Sequence, residues 1–228
     1  MFKEINLRNH SSLHKLFYSL ELKHIQYSAD KKQILQDVSF KVNKGDFLTL
    51  IGPSGAGKST ILRLIANLIS ANSGDILYQE KNISSLNPVQ YRREVSYCFQ
   101  QPSLFGQTVR DNLIFPYEIR KVDVNDKQIA DLLNQVDLSA DFLDKKITAL
   151  SGGEKQRVAL IRNIIFLPKI LLLDEVTTGL DNQSKDIVHN LIKDVSEKGV
   201  TIIQVAHDQS EIDEASNILR VKKGGIIE

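Results

Sequence analysis

The sequence predicts an α/β fold built on a mainly parallel sheet. Three observations carry that prediction. Short apolar runs alternate along the chain with segments of helical spacing, one run ends in a glycine-rich loop that opens a helix, and another ends in two adjacent acids. Strands alternating with helices imply parallel pairing with both faces of the sheet covered.

Taken in order, Met1 to Leu16 is polar and shows no clear period. It has neither the apolar core nor the small-residue cleavage site of a secretory signal. Residues 1–19 are therefore set apart as a leader, and a disordered segment and a wrongly assigned start both stay open. Leu20 to Tyr27 reads as a strand, and Val38 to Val42 alternates like a second one. Asn43-Lys44-Gly45-Asp46 is turn chemistry, and Phe47 to Ile51 is a buried strand. Thr60 to Ile69 has helical spacing, stopped at Asn72-Ser73-Gly74, and Asp75 to Tyr78 and Val95 to Phe99 are further strands. Between Ser103 and Ala149 the texture changes. Ile129, Leu132, Leu133 and Val136 share one helical face and no comparable strand run appears, so about 103–150 reads as an inserted helical lobe. A helix over Gly153 to Phe166 ends before Pro168, and Ile170 to Leu173 is an apolar strand. Helix 182–197, strand 200–205, helix 209–215 and strand 217–221 complete the pattern, giving a single domain over 20–228.

Composition agrees. The 228 residues are 42% hydrophobic and 25% charged, within the range of one globular domain. The net charge of +1 gives no argument for a nucleic-acid partner. A single cysteine, Cys98, rules out an internal disulfide and fits a reducing compartment. The most apolar stretch, Ile161 to Leu173, is broken by Arg162, Asn163, Pro168 and Lys169, so it cannot span a bilayer.

The chemistry concentrates at three places. Gly52-Pro53-Ser54-Gly55-Ala56-Gly57-Lys58-Ser59 has the Gly-x-x-x-x-Gly-Lys-Ser spacing between an apolar strand and a helix. Backbone N–H groups of such a loop turn inward around phosphate oxygens, and the helix that follows, beginning near Lys58 and carrying Thr60, directs its positive end at the same anion. Lys58 is placed to reach the β- and γ-phosphates of ATP, and the Ser59 hydroxyl to ligate Mg²⁺. Asp174 and Glu175 close the strand from Ile170. Ligand sites lie beyond the carboxyl ends of parallel strands, so this pair can converge on the loop. Asp174 suits the Mg²⁺ shell, and Glu175 suits polarising the attacking water. Third, Ser151-Gly152-Gly153-Glu154 starts a helix with exposed N–H groups, a hydroxyl for a phosphate and the spacing of a capping box.

Leu150 to Arg157, with the loop and the acidic pair, resembles the signature of ATP-binding cassette (ABC) proteins, and the resemblance runs from about Leu20 to the C-terminus. It implies a P-loop core, an antiparallel β subdomain and an inserted helical subdomain. It also implies head-to-tail pairing of two copies around two ATP molecules, with Ser151, Gly152 and Gly153 of one copy closing over the γ-phosphate held by the other. By the same resemblance Gln100 links Mg²⁺ to the helical lobe, Thr178-Gly179-Leu180-Asp181 couples the two sites, His207 contacts the γ-phosphate and Tyr27 stacks on adenine. One departure is Val176, where the family usually has proline. Val95 to Pro116, and Ser151 to Asn163, further resemble ATPase subunits of the bacterial Fet type, a group associated with iron export whose permease is a separate chain. The implied place is peripheral, on the cytoplasmic face of a bacterial membrane, beside an integral permease. A soluble ABC ATPase acting on nucleic acid or ribosomes is the alternative, and the lack of a basic block or coiled coil speaks against it. Glu175 and His207 speak against a cassette that binds ATP without turnover. His10 and His14 lack a third ligand and read as solvated, His24 has no evident partner, Arg92-Arg93 reads as a solvated helix end and Cys98 as a buried thiol.

Overall fold

A computed structural model describes residues 18–213, 215–222 and 224–227. Met1 to Leu16, with His10 and His14, lies outside the described residues. Strands β1 (Tyr18–Ala29) and β2 (Lys32–Asn43) form a long hairpin, followed by β3 (Phe47–Ile51) and helix α1 (Lys58–Ile65). Then come β4 (Ser73–Tyr78), β5 (Lys81–Asn82), α2 (Pro88–Glu94) and β6 (Val95–Cys98). Helices α3 (Val109–Glu118) and α4 (Asp126–Gln135) lead through two 3₁₀ turns to α5 (Gly152–Ile164). The chain closes with β7 (Ile170–Asp174), α6 (Asn182–Glu197), β8 (Thr201–Val205), α7 (Gln209–Asp213), β9 (Ile218–Lys222) and β10 (Gly224–Ile227).

Among the described residues the ten strands form one sheet in the order β5-β4-β1-β2-β10-β9-β3-β8-β7-β6. From β9 to β6 every neighbouring pair is parallel, as the alternation predicts. The other half is an antiparallel wing of β5, β4, β1 and β2. The seam is β10, which is parallel to β2 and antiparallel to β9. Its Gly-Gly start carries no strand propensity, so β10 escapes a reading by pattern.

Alternation along the central strands shows both faces covered. Ile170, Leu172, Ile203 and Val205 face the cluster that includes Ile61, Leu62 and Ile65 of α1. Leu171, Leu173 and Ile202 face the cluster of Leu113, Leu133, Leu160, Ile161 and Leu191 from α3 to α6. The helical segment therefore builds its core against one face of the sheet. Ile129, Leu133 and Val136 are buried there and Leu132 packs against them, matching the predicted face of α4.

Two boundaries differ from the sequence reading, and a third agrees. β1 begins at Tyr18, inside the span set aside as leader. α1 stops at Ile65 rather than Ile69 because Asn67 adopts φ 53°. The Leu68 N–H then reaches the Arg63 carbonyl and the Asn67 N–H the Leu64 carbonyl, the paired bonds of a Schellman end. Arg92 and Arg93 do end a helix, α2, which Asn87 and Pro88 start by side-chain capping and a preset φ.

Candidate active site

Strand order gathers the chemistry. β3, β8, β7 and β6 are adjacent and parallel, so their carboxyl ends lie along one edge. Gly52 follows β3, Ala206-His207 follows β8, Asp174-Glu175 ends β7 and Gln100 follows β6. A cavity of about 640 Å³ opens there, lined by Ser54 to Thr60 with Gln100, Glu175, Thr178 and His207.

Two glycines of the loop are required by geometry. Gly52 has φ +146°, and a Cβ on it would stand 2.1 Å from the Val221 carbonyl oxygen of β9. Gly57, the N-cap of α1, has φ +101°, and a Cβ would meet Leu35 at 2.6 Å. Side chains would push the loop off the sheet or away from the hairpin. Lys58 is only 4% exposed. Its ammonium donates to the Gly52 carbonyl at 2.8 Å and the Pro53 carbonyl at 3.2 Å, which holds it in the loop's mouth. Burial lowers its pKa, and the charges of Glu175 and Asp174 pull it back up.

Asp174 is 2% exposed. Ser59 Oγ donates to its Oδ1 at 2.7 Å, and the Tyr97 hydroxyl donates to its Oδ2 at 2.5 Å. Burial, with the Asp174 carboxylate as acceptor, pushes the Tyr97 phenol well above its usual range, so it stays a donor. Glu175 sits at φ 52° in the left-handed region. Its Oε2 accepts from Gln100 Nε2 at 2.7 Å, and its Oε1 lies 2.8 Å from His207 Nε2. Val176, where the family usually has proline, is buried in the second core cluster. The departure therefore leaves the acids in place.

A second network backs the loop after β8. Glu211 of α7 accepts from Thr177 and pairs with His189 of α6 at 2.8 Å, and Lys185 pairs with Asp208. Burial alone would raise the Glu211 pKa, and the hydrogen bonds from His189 and Thr177 hold it lower.

Ser151, Gly152 and Gly153 do not line the cavity. Ser151 caps α5, with its hydroxyl accepting from the Glu154 N–H while the Glu154 carboxylate accepts from the Ser151 N–H. A Cβ on Gly153 would stand 2.8 Å from Ser184 Oγ, whereas one on Gly152 would meet nothing. Arg157 donates to Ser184 Oγ at 3.1 Å, and Ser184 bonds Asp181 through its N–H and its hydroxyl. The signature helix is thus tied to the loop from Thr178 to Asp181.

Tyr27 is half-buried against the first core cluster and is not among the residues lining the cavity; Lys32, Gln33 and Ile34 form that wall. Sequence reasoning missed those three, and also Tyr97 and Arg157. The partner absent for His24 in the sequence is Asp37, 3.0 Å away on the surface. Cys98 is buried, which pushes its thiol up to about 12 and leaves it inert.

The sequence profile described as "ABC transporter" matches residues 35–178. The chain belongs to the ABC transporter family. It is an ATP-binding ATPase of that family, and such ATPases work in pairs with membrane permeases. Its relatives include the "Probable iron export ATP-binding protein FetA" of Escherichia coli (strain K12). That protein is 44% identical over 204 residues, covering 89% of this chain and 91% of FetA. The "Spermidine/putrescine import ATP-binding protein PotA" of Mycoplasma capricolum subsp. capricolum (strain California kid / ATCC 27343 / NCTC 10154) is 38% identical over 92% of this chain and 60% of PotA. The solved "Structure of a bacterial Atm1-family ABC exporter with ATP bound" superposes with a TM-score of 0.84 at 27% identity, over 92% of this chain and 38% of that one. Among the described residues no helix is long and apolar enough to cross a membrane.

Proposed function

We propose that this chain is the ATP-hydrolysing subunit of an exporter whose permease is a separate chain, that it sits on the cytoplasmic face of a bacterial membrane, and that the cargo is iron. The observation that carries this reading is the match to FetA over nine tenths of both chains. The match to PotA ends at 60% of that protein, so it supports the ATPase activity alone.

In this reading two copies pair head to tail around two ATP molecules. The backbone from Gly52 to Thr60 cradles the phosphates, and Lys58 binds the β- and γ-phosphates as a point charge. Water attacks the γ-phosphorus in line. Glu175 accepts the proton that this water loses, and ADP leaves with the bridging oxygen. His207 and Gln100 hold the Glu175 carboxylate between them, and His207 contacts the γ-phosphate. Ser59 and Asp174 offer hard oxygens 2.7 Å apart, the donor chemistry that suits Mg²⁺. With Gln100 as a third contact they would hold that ion, which when bound neutralises charge on the β- and γ-phosphates. Ser151, Gly152 and Gly153 of the second copy complete the site from outside, which accounts for a capped helix start standing away from the cavity. Tyr27 stacking on adenine has no support from the cavity's lining.

Three measurements test the proposal. ATP turnover per chain should fall as the protein is diluted below its dimerisation range; turnover strictly proportional to protein down to monomer sinks the shared site. Glu175→Gln should abolish turnover, retain ATP binding and accumulate closed dimers, whereas undiminished phosphate release removes Glu175 from its role. In vesicles containing the chain with its permease, ATP should drive ferrous iron across the bilayer. Normal turnover without iron movement overturns the cargo alone.

A further inference from the structure

Thr177, Glu211 and His189 form a hydrogen-bonded row behind Glu175, and none of the three lines the nucleotide cavity. Glu175 adopts φ 52°, a left-handed conformation that strains a residue with a Cβ and persists only where its surroundings enforce it. Two backbone bonds shape the turn that follows. The Thr178 N–H reaches the Glu175 carbonyl at 3.1 Å, and the Leu180 N–H reaches the Thr177 carbonyl at 3.2 Å. Val176, inside that turn, has no ring to fix its φ. Thr177 is 7% exposed, and its hydroxyl ties the turn to α7 by donating to Glu211 Oε1.

Glu211 is itself held. The oxygen that accepts from Thr177 also lies 2.8 Å from His189 Nε2 on α6, and the Glu211 side chain is 8% exposed. Burial pushes its pKa up, and the bonds from His189 and Thr177 bring it below the ordinary 4.5, so at neutral pH it accepts as a carboxylate. A hydrogen bond to a charged acceptor is stronger than a neutral one. The far end of the row is firm, because Val188, Leu191 and Ile192 of α6 are buried in the second core cluster. Lys185 of the same helix pairs with Asp208, just before α7.

We propose that Glu211 is a positioning residue for ATP hydrolysis: through the Thr177 hydroxyl it holds the turn that aims Glu175 at the attacking water, and His189 fixes its own orientation. The inference rests on the reading of Glu175 as the group that accepts the water's proton. A reacting carboxylate works at its best only when the side chains behind it lock its geometry.

Glu211 reaches Glu175 by two routes. One runs through Thr177, two residues along the same turn. The other runs through His207, four residues before Glu211, whose Nε2 lies 2.8 Å from Glu175 Oε1. Fastening α7 to α6 therefore steadies both the backbone that carries the base and one of the two side chains that grip it. The phosphate loop from Gly52 to Ser59 takes no part in this row, so its hold on ATP is separate from the aim of Glu175.

The test is steady-state ATP hydrolysis by the full chain, at a concentration that saturates dimer formation. Thr177→Val keeps the shape and removes the hydroxyl, and Glu211→Ala removes the acceptor. Each should lower kcat at least about tenfold and leave KM for ATP within about twofold, the pattern of a misaimed group beside an intact binding loop. Thr177→Ser keeps the hydroxyl and should retain at least about half of the wild-type kcat. The double variant Thr177→Val/Glu211→Ala should lose no more than about twofold beyond the worse single variant, because both break one link. A wild-type kcat in Thr177→Val overturns the proposal. So do losses that multiply in the double variant, and so does a Thr177→Ser loss equal to that of Thr177→Val. Closed dimers separate aim from dimer contact. With ATP, Thr177→Val in the Glu175→Gln background should form them as fully as Glu175→Gln alone, and a loss there assigns Thr177 to the dimer contact and overturns the proposal. Full turnover in Glu175→Gln alone refutes the base assignment. An inactive Glu175→Gln beside a fully active Thr177→Val refutes this proposal and leaves that assignment standing.

Discussion

Tyr97→Phe removes one hydroxyl and keeps the ring, which packs edge-on against Phe99 with centroids 4.7 Å apart. The lost hydroxyl donates to Asp174 Oδ2 at 2.5 Å, and Asp174 is 2% exposed, so bulk water cannot take its place. A hydrogen bond to a charged group contributes about 1.5–3 kcal/mol net. The Tyr97 oxygen and the Asp174 charge both raise the Arg63 pKa, so Arg63 lies near and can recover part of that by turning to the carboxylate, which favours the lower end. A loss of about 1.5 kcal/mol in a chain of this size lowers Tm by roughly 3–6 °C. Urea unfolding of the two proteins at pH 7 measures it. The decisive comparison is a double-mutant cycle. In an Asp174→Asn background the acceptor is neutral, and Tyr97→Phe should cost at least about 1 kcal/mol less than in the wild type. A Tyr97→Phe cost below about 0.5 kcal/mol, or a cycle that closes without coupling, refutes the view that this hydroxyl positions Asp174.

Gly52→Ala would place a methyl 2.1 Å from the Val221 carbonyl oxygen, so its unfolding free energy should fall by more than about 3 kcal/mol; a wild-type urea midpoint contradicts the close approach. Ser151→Ala should cost about 1 kcal/mol as a lost N-cap, read by the same unfolding experiment. Burial would raise the Glu154 pKa, but the Ser151 N–H and the Lys145 ammonium hold it below the ordinary 4.5. Its contribution is therefore fully present above pH 4.5 and lost as pH falls through the lowered folded value. Glu154→Gln should accordingly differ from the wild type at pH 7 and converge with it in acid, and a constant difference across that range would contradict the assignment. Gly152→Ala should leave monomer stability within about 0.5 kcal/mol, since its Cβ meets nothing, yet impair concentration-dependent turnover at least tenfold; unchanged turnover removes Gly152 from the dimer contact.

What the sequence made legible was local. Phe47 to Ile51 and Asn182 to Glu197 fall on β3 and α6 to the residue because an apolar run and a 3.6-residue period are visible within one segment. The loop from Gly52 to Ser59 is legible because its Gly-x-x-x-x-Gly-Lys-Ser spacing lies within one segment, whereas the contacts that require Gly52 and Gly57 come from Val221 and Leu35, far along the chain. Tyr97 was not legible. It reads as one more apolar residue of a strand, and only the register between β6 and β7, with Tyr97 opposite Leu172, brings its hydroxyl to Asp174. Tyr27 shows what a motif position leaves out: it is half-buried against the first core cluster, packing that the family pattern does not express. β10 depends on pairing with β2, a segment near the other end of the chain, which composition does not encode.

The carboxylate of Glu175 is held from two sides of different stiffness. His207 follows β8 and is succeeded at once by Asp208, paired with Lys185, and then by Glu211, bonded to Thr177 and His189. Those bonds pin the loop after β8 to α6 and to the segment just past Glu175 itself. Gln100 follows the edge strand β6, its residue is exposed, and the chain beyond it enters the helical segment. Movement of that segment would therefore alter the Gln100 bond first and the His207 bond last. The carboxylate proposed to polarise water is the one whose Gln100 partner leads into the helical segment, so in that proposal the position of the segment and the orientation of the base are one variable.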